Sequence, residues 1–460
     1  LIVLAAVLYT AANYLGELYF LNWFSFLPFL YYNFKIQAGK EFDYKKYFLS
    51  GQLFGFFILL FSANFIYHSI KLYTSADFWL IIILLLLLFF LLSLIYGFFF
   101  LAYIFLEQKI NSELKFNPYR FAAFWLLLEL SRHYLLSFFP VGNSAYTQAE
   151  FLHFIQLADY GGIWTLTFIL VLFNGLLYQL IFEKKLKNIF IISLILIIIF
   201  SVGNYSLKRE FNLQSNKEEI KIGIIRTQIR QEEKWSDKQL QKNINILLDS
   251  AAFFNESRLI IAPETNITFD FHADQYYRER LLEQVAEKFE TPVQIGSLAG
   301  KDSVEGRYNS SFLISEAGEI IARYDKNLLL YFGETYPYLE LLNEYTPYNF
   351  SSLNAGTNSN LFKLKNLKWK TIICSEILYS DYVKQKTEEV DFIVNQTNEA
   401  WFNDSRLLKN IMWQAAVIRA VENRLPIIKT GNQAHSGIIY ASGNYKKVDV
   451  NQNYHILELN

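Results

Sequence analysis

From Phe78 to Phe105 the chain carries no charged side chain, and most of its residues there are Leu, Ile or Phe. Crossing the hydrocarbon core of a bilayer takes about 20 helical residues. In that core every backbone N–H and C=O must be satisfied within the segment, so a run of this kind is predicted to be a transmembrane helix. Apolar stretches at 1–15, 17–33, 48–68, 118–138, 162–182 and 187–207 extend the pattern to seven predicted spans. The overall content of 53% hydrophobic and 18% charged residues therefore averages two unlike halves. Up to about residue 207 short charge clusters interrupt apolar runs; beyond it the sequence is that of an ordinary mixed domain. A cleaved signal peptide is excluded, because six more spans follow the first. A net charge of -1 gives no basis for nucleic-acid binding.

The loops between the runs differ in charge. Lys35, Lys40, Lys45 and Lys46 follow the second run, Lys109, Lys115 and Arg120 the fourth, and Lys184, Lys185 and Lys187 the sixth. The loop after the third has only Lys71, and Pro140 to Gly161, after the fifth, has neither Lys nor Arg. Positive residues collect on the cytoplasmic side of a membrane. The seventh span is then expected to deliver the rest of the chain to the outer side. The expected domains are a transmembrane bundle over 1–207 and an extracytoplasmic domain over 208–460.

Beyond Ile220, strands are predicted at 220–225, 259–262, 293–299, 310–323, 369–374, 390–394, 425–430 and 436–441. Helices are predicted at 236–254, 274–289, 380–388 and 405–423. Such alternation indicates an α/β layered domain, in which functional groups gather where strands end. Glu264 follows the strand ending at Ala262, Lys326 the one ending near Tyr324, and Cys374 the run Lys370–Ile373. Cys374 is the only cysteine in 460 residues. Without a disulfide partner it is a small core residue, a free thiol or a nucleophile. A Glu after a strand is ordinarily a solvated loop residue, and a loop Lys ordinarily lies at the surface. Together, however, the three supply a base, a cation and a thiol. Acyl transfer requires that set: the carboxylate takes the thiol proton and the ammonium stabilises the oxyanion. The His residues, at 68, 133, 153, 272, 435 and 455, lack ligand spacing, and neither metal nor other cofactor is expected.

These segments resemble the nitrilase, or carbon–nitrogen hydrolase, superfamily, whose catalytic set is Glu-Lys-Cys, and within it the apolipoprotein N-acyltransferase family. Ala262-Pro263-Glu264-Thr265 is similar to the family's Trp-Pro-Glu box. Tyr324-Asp325-Lys326, with Phe332-Gly333-Glu334 and Pro337, resembles its lysine box and the Phe-Gly-Glu loop after it. Cys374-Ser375-Glu376 resembles its Cys-aromatic-Glu box, and Thr397 to Phe402 with Asp404-Ser405 its Thr-Asn-Asp-Ala-Trp-Phe run. Gln414, Arg419-Ala420, Glu422 and Pro426 fit the helix and strand beyond. In the membrane half Trp125, Glu129, Arg132, Phe139-Pro140 and Tyr146-Thr147-Gln148 fit as well. Trp235, in Glu233-Lys234-Trp235, matches a functional tryptophan position. Ala262, Ser375, Tyr331 and Val141 depart from the usual Trp, aromatic, Pro and Trp, which bears on the acyl and headgroup pockets rather than on the catalytic set.

The resemblance implies a membrane bundle joined to an αββα sandwich, in a multi-pass protein of the bacterial inner membrane whose catalytic domain faces the periplasm. It implies catalytic roles for Glu264, Lys326 and Cys374 and supporting roles for Glu334, Glu376 and Trp235. The implied reaction is ping-pong: a phospholipid gives its acyl chain to Cys374, and the α-amine of a diacylglyceryl-cysteine at an apolipoprotein N-terminus removes it. The 327–350 loop, rich in Leu, Tyr and Phe, is expected to form an apolar lid or to pack against the domain. The family ends in an eighth span, so residues are expected before Leu1 and after Asn460. The alternative is a membrane-anchored amidase or hydrolase of nitrilase type, in which water resolves the acyl-enzyme. A lipoprotein-binding protein without activity is a third possibility, against which the intact Glu-Lys-Cys set stands.

Overall fold

The structure, a computed structural model, describes residues 1–37, 42–73, 76–110, 114–136, 139–214, 219–302, 304–336 and 351–459. Lys40, Pro337 and the 337–350 part of the loop expected to act as a lid lie outside the described residues. Packing divides the chain into two compact units: Leu1–Arg209 with Arg406–Glu422, and Glu210–Ser405 with Asn423–Asn460.

The first unit is helical, with α1 (Ile2–Tyr14), α2 (Tyr44–Ala63), α3 (Phe78–Ile110), α4 (Pro118–Leu135), α5 (Ala158–Phe182) and α6 (Lys187–Gln214). Among the described residues, α2, α3, α5 and α6 are long and apolar enough to cross a membrane. Large apolar side chains such as Ile83, Leu87, Phe98 and Ile197 stand exposed along α3 and α6, a surface suited to lipid rather than water. The stretch 17–33 is not one helix: it folds as a 3₁₀ segment, Gly16–Phe24, and a short helix, Phe26–Tyr31. Asn22 explains the break, since its amide donates to the Tyr9 carbonyl and to Thr147 Oγ1, side-chain bonds that compete with a continuous ladder. The run at 48–68 likewise stops at Ala63 and resumes as Ile66–Tyr73. Gly51 and Gly55 let α2 approach α3 closely; a Cβ at Gly55 would lie 2.3 Å from the Tyr96 ring. Inside the bundle Arg132 pairs with Glu129 at 2.8 Å, and the Tyr9 hydroxyl donates to the same carboxylate. The helix Arg406–Asn423 joins this unit through Gln414, whose amide donates to the Ala12 carbonyl at 2.7 Å. Glu422 accepts from the Ile163 N–H, just after the Gly161-Gly162 kink in α5.

The second unit is built on β1 (Ile220–Ile225), β2 (Leu259–Ile261), β3 (Val293–Lys301), β4 (Val304–Ile314), β5 (Ile320–Asp325) and β6 (Leu361–Leu364). It continues with β7 (Leu367–Ile373), β8 (Phe392–Asn398), β9 (Ile427–Asn432), β10 (Gly437–Ile439), β11 (Tyr445–Lys447) and β12 (Tyr454–Leu459). One sheet has the order β12-β1-β2-β3-β4-β5, the other β11-β10-β9-β8-β7-β6. β1, β2 and β3 are parallel, as are β7, β8 and β9; hairpins add the outer strands except β12, which pairs antiparallel with β1. Alternation along β1 sends Ile222 and Ile224 into the space between the sheets, where they meet Trp369, Val394 and Ile428. Ile225, on the other face, packs with Leu247 of α7 (Asp237–Asp249) and Leu281 of α8 (Gln275–Lys288). The single strand expected at 310–323 is two strands of a hairpin that turns at Gly318, where φ is +77°. β6, β11 and β12 were not foreseen. β12 owes its place to pairing with β1, Ile220 opposite Leu459, a partner more than two hundred positions away.

Candidate active site

Three strands of the second unit end in polar side chains. β2 runs out through Ala262 and Pro263 into Glu264, β5 stops just before Lys326, and β7 stops just before Cys374. Two of these exits need a left-handed backbone at a residue that is not glycine: φ is +44° at Thr265 and +50° at Cys374. Such conformations are costly for β-branched and ordinary side chains and persist only where the surroundings hold them. Around Thr265 the support is visible. Gly296 of β3 passes so close that a Cβ there would lie 2.5 Å from the Thr265 nitrogen. From below, Gln396 donates to the Ala262 carbonyl at 2.7 Å, and Gln294 ties Gln396 to Thr371 and Ser311 between the sheets.

The side chains that emerge are linked into one buried polar set. Lys326 Nζ lies 2.6 Å from Glu334 Oε2, and both groups are almost wholly shielded from solvent. Asn309 Nδ2 donates at 2.7 Å to Glu264 Oε1 and at 2.7 Å to Glu334 Oε1, so one amide bridges both carboxylates. Glu264 Oε2 has no hydrogen-bond donor among the described residues. Thr397 Oγ1 donates to Cys374 Sγ at 3.4 Å. Glu376 accepts from the Ile373 N–H at 2.8 Å with one oxygen. Its other oxygen accepts from the Tyr324 hydroxyl and from the N–H groups of Asn327 and Leu328. It thereby pins the turn that carries Cys374 to the exit that carries Lys326.

Burial raises the proton affinity of Glu264, and the Glu334 charge adds to the effect while Lys326 opposes it. Burial, helped by Glu264, pushes the Cys374 thiol up to about 12. Burial works the other way on Lys326, but the carboxylates around it outweigh that and hold it firmly protonated. A neutral thiol, a carboxylate ready to take a proton and a fixed ammonium thus stand within reach of one another's fields. Among the described residues no group of His, Cys, Asp and Glu could hold a metal ion.

Of the residues singled out in the sequence, Glu264, Lys326, Cys374, Glu334 and Glu376 come together here. Trp235 does not join the set; the residue is 44% exposed. Its neighbour Lys234 does. Lys234 Nζ, buried, donates to Thr265 Oγ1 at 2.6 Å and to the Glu264 carbonyl at 3.3 Å. Burial lowers its pKa to about 8, against the pull of Glu264 and Cys374. Lys234, Asn309 and Thr397 carried no such weight in the sequence. Asn309 lies one residue before the strand predicted at 310–323, and only the structure puts it inside β4.

A two-sheet α/β domain whose strand ends assemble a carboxyl, an ammonium and a thiol, joined to membrane-length helices, defines a carbon–nitrogen hydrolase-type membrane protein. Residues 221–446 match the family described as carbon-nitrogen hydrolase, and residues 5–176 match the apolipoprotein N-acyltransferase N-terminal domain. In both of its halves the chain is similar to apolipoprotein N-acyltransferases. An apolipoprotein N-acyltransferase of Geobacter metallireducens is 28% identical over 342 residues, 71% of this chain and 64% of that protein. One of Rickettsia bellii is 27% identical over 411 residues, 87% of this chain and 80% of that protein. A solved amidase from Nesterenkonia is 16% identical, with a TM-score of 0.38, over 52% of this chain and 90% of that one.

Proposed function

We propose that the protein is an acyltransferase that moves a fatty acyl chain from a phospholipid to the α-amine of the diacylglyceryl-cysteine heading an apolipoprotein. It would do so through a thioester on Cys374. The observation that carries this is the buried set in which Asn309 links Glu264 to Glu334, Glu334 holds Lys326, and Cys374 lies within their fields. With the resting thiol neutral, deprotonation accompanies attack: Glu264 takes the proton on its unoccupied Oε2 as sulfur bonds to the ester carbonyl carbon. Lys326 faces the oxyanion. Collapse breaks the C–O bond, Glu264 returns the proton to the departing lysophospholipid, and Cys374 keeps the acyl group. The acceptor amine then attacks the thioester, Glu264 takes up its proton, and the amide leaves as the thiol is restored. Membrane-length helices suit an enzyme whose two substrates are lipids. The loop charges favour an α/β domain on the side of the membrane away from the Lys- and Arg-rich loops, which in the bacterial inner membrane implied by the resemblance is the periplasm.

Intact-mass measurement tests the chemistry. After incubation with phospholipid, the wild type should gain one acyl chain at Cys374 and lose it on addition of a diacylglyceryl lipopeptide. Cys374→Ala should stay folded, carry no acyl chain and transfer none. Fatty acid released at the full turnover rate with no lipopeptide acylated would make the protein a hydrolase instead.

A further inference from the structure

A fully buried lysine, Lys370, stands on the same strand as the Cys374 exit, and the reaction proposed for Cys374 does not use it. Its ammonium donates at 2.6, 3.0 and 2.7 Å to the carbonyls of Tyr382, Val383 and Gln385, at the C-terminal end of the short helix Ser380–Lys384. All three ammonium hydrogens are thus met by carbonyls that a helix end leaves without partners. The same ammonium lies 5.2 Å from the centroid of the Tyr382 ring. Lys370 therefore holds Tyr382 both by its main chain and by its ring.

The Tyr382 hydroxyl is 2.6 Å from that of Tyr324, which in turn donates to Glu376 Oε1 at 2.7 Å. A phenol has one proton, and Tyr324 gives its own to the carboxylate. The contact between the two hydroxyls is then made with the proton of Tyr382. A donor behind Tyr324 strengthens its bond to Glu376, because hydrogen bonds in a chain polarise one another. Tyr324 and Glu376 are fully buried, which keeps water from taking that donor's place. Glu376 also accepts from the N–H groups of Ile373 and Leu328, on the two exits that carry Cys374 and Lys326.

We infer that Tyr382, gripped by Lys370, is a positioning residue for the proposed reaction: through Tyr324 it fixes Glu376 and so holds the Cys374 and Lys326 exits at their working distance. The inference rests on Cys374 being the nucleophile of that reaction, and not on which lipids it serves.

Alkylation of Cys374 by iodoacetamide at one fixed pH, followed by intact mass, tests it on the full chain without any lipid. The Lys326 charge favours the thiolate of Cys374, so a displaced ammonium means slower alkylation. Tyr382→Phe keeps the ring beside Lys370 and removes only the hydroxyl. It should slow alkylation roughly tenfold. It should slow thioester formation from phospholipid by a similar factor, with the half-saturating lipid concentration unchanged. Tyr454→Phe, which loses a hydroxyl bond to the Ile246 carbonyl elsewhere in the same unit, should alkylate as the wild type does. Lys370→Met should also slow alkylation, and should add less in the Tyr382→Phe background than alone, because both act through one hydroxyl. Alkylation of Tyr382→Phe at the wild-type rate, or slowed no more than that of Tyr454→Phe, would overturn the inference whatever Lys370→Met does. The expected alkylation pattern in a protein that takes up no acyl chain would support the positioning role and overturn the acyltransferase reading.

Discussion

A single amide, Asn309 Nδ2, holds two carboxylates whose mutual repulsion would otherwise spread them, and it does so away from water. Asn309→Ala should therefore displace both Glu264 and the Glu334–Lys326 pair. A loss of about 100-fold in kcat with little change in KM is expected, since an ångström of misplacement at a reacting group costs that much. Lys234, bonded to the Glu264 main-chain carbonyl, acts on the same carboxyl through its charge. Its positive charge favours the ionised form of Glu264. The acid limb of the kcat/KM profile, where Glu264 gains its proton, should lie above the usual carboxylate range in the wild type. Removing the cation makes ionisation harder, so in Lys234→Met the limb should move to higher pH; an unmoved limb would show that Lys234 only packs. Neither residue could be weighed from sequence. A Lys before an exposed Trp and an Asn within a strand acquire meaning only when the turn at Thr265 and the exit of β5 bring their partners to them.

Elements meet at the site through Glu376. One carboxylate satisfies N–H groups from the last residue of β7 and from the segment after β5, so it sets the distance between the Cys374 and Lys326 exits. In Glu376→Gln an amide N–H would have to face the Ile373 N–H, leaving buried donors unsatisfied. A loss of about 2–4 kcal/mol is expected, read as a fall of several degrees in the unfolding temperature. Gly296→Ala should disturb the Thr265 turn and lower turnover more than stability, because only backbone stands behind it. In the helical unit Gly55→Ala should overpack against Tyr96 and cost about 1–3 kcal/mol. The parallel strands were legible because their Ile- and Val-rich runs are buried on both faces. β11 and β12, with their Lys, His and Glu, offer no such pattern and form only because a partner edge is present.

Over the whole molecule, the division into apolar runs and a mixed domain is a matter of composition, and the loop charges give it a direction. A single-cysteine variant, Glu287→Cys with Cys374→Ser, places a thiol at an exposed position in the second unit. A reagent that cannot cross membranes should label it only after the outer envelope is opened and the inner membrane left sealed. Labelling only from the cytoplasmic side would reverse the proposed orientation. The sequence by itself determined four membrane-length helices among the seven spans it predicted, the α/β character of the second unit and the three strand ends that bear Glu264, Lys326 and Cys374. Those features rest on local periodicity, hydropathy and chain order, which survive in a list of residues. Only the tertiary structure decided that Asn309 and Lys234 share Glu264, that Glu376 ties two exits together, and that β12 closes onto β1. Such meetings depend on backbone handedness and on contacts between residues far apart in the chain, and no local pattern encodes them.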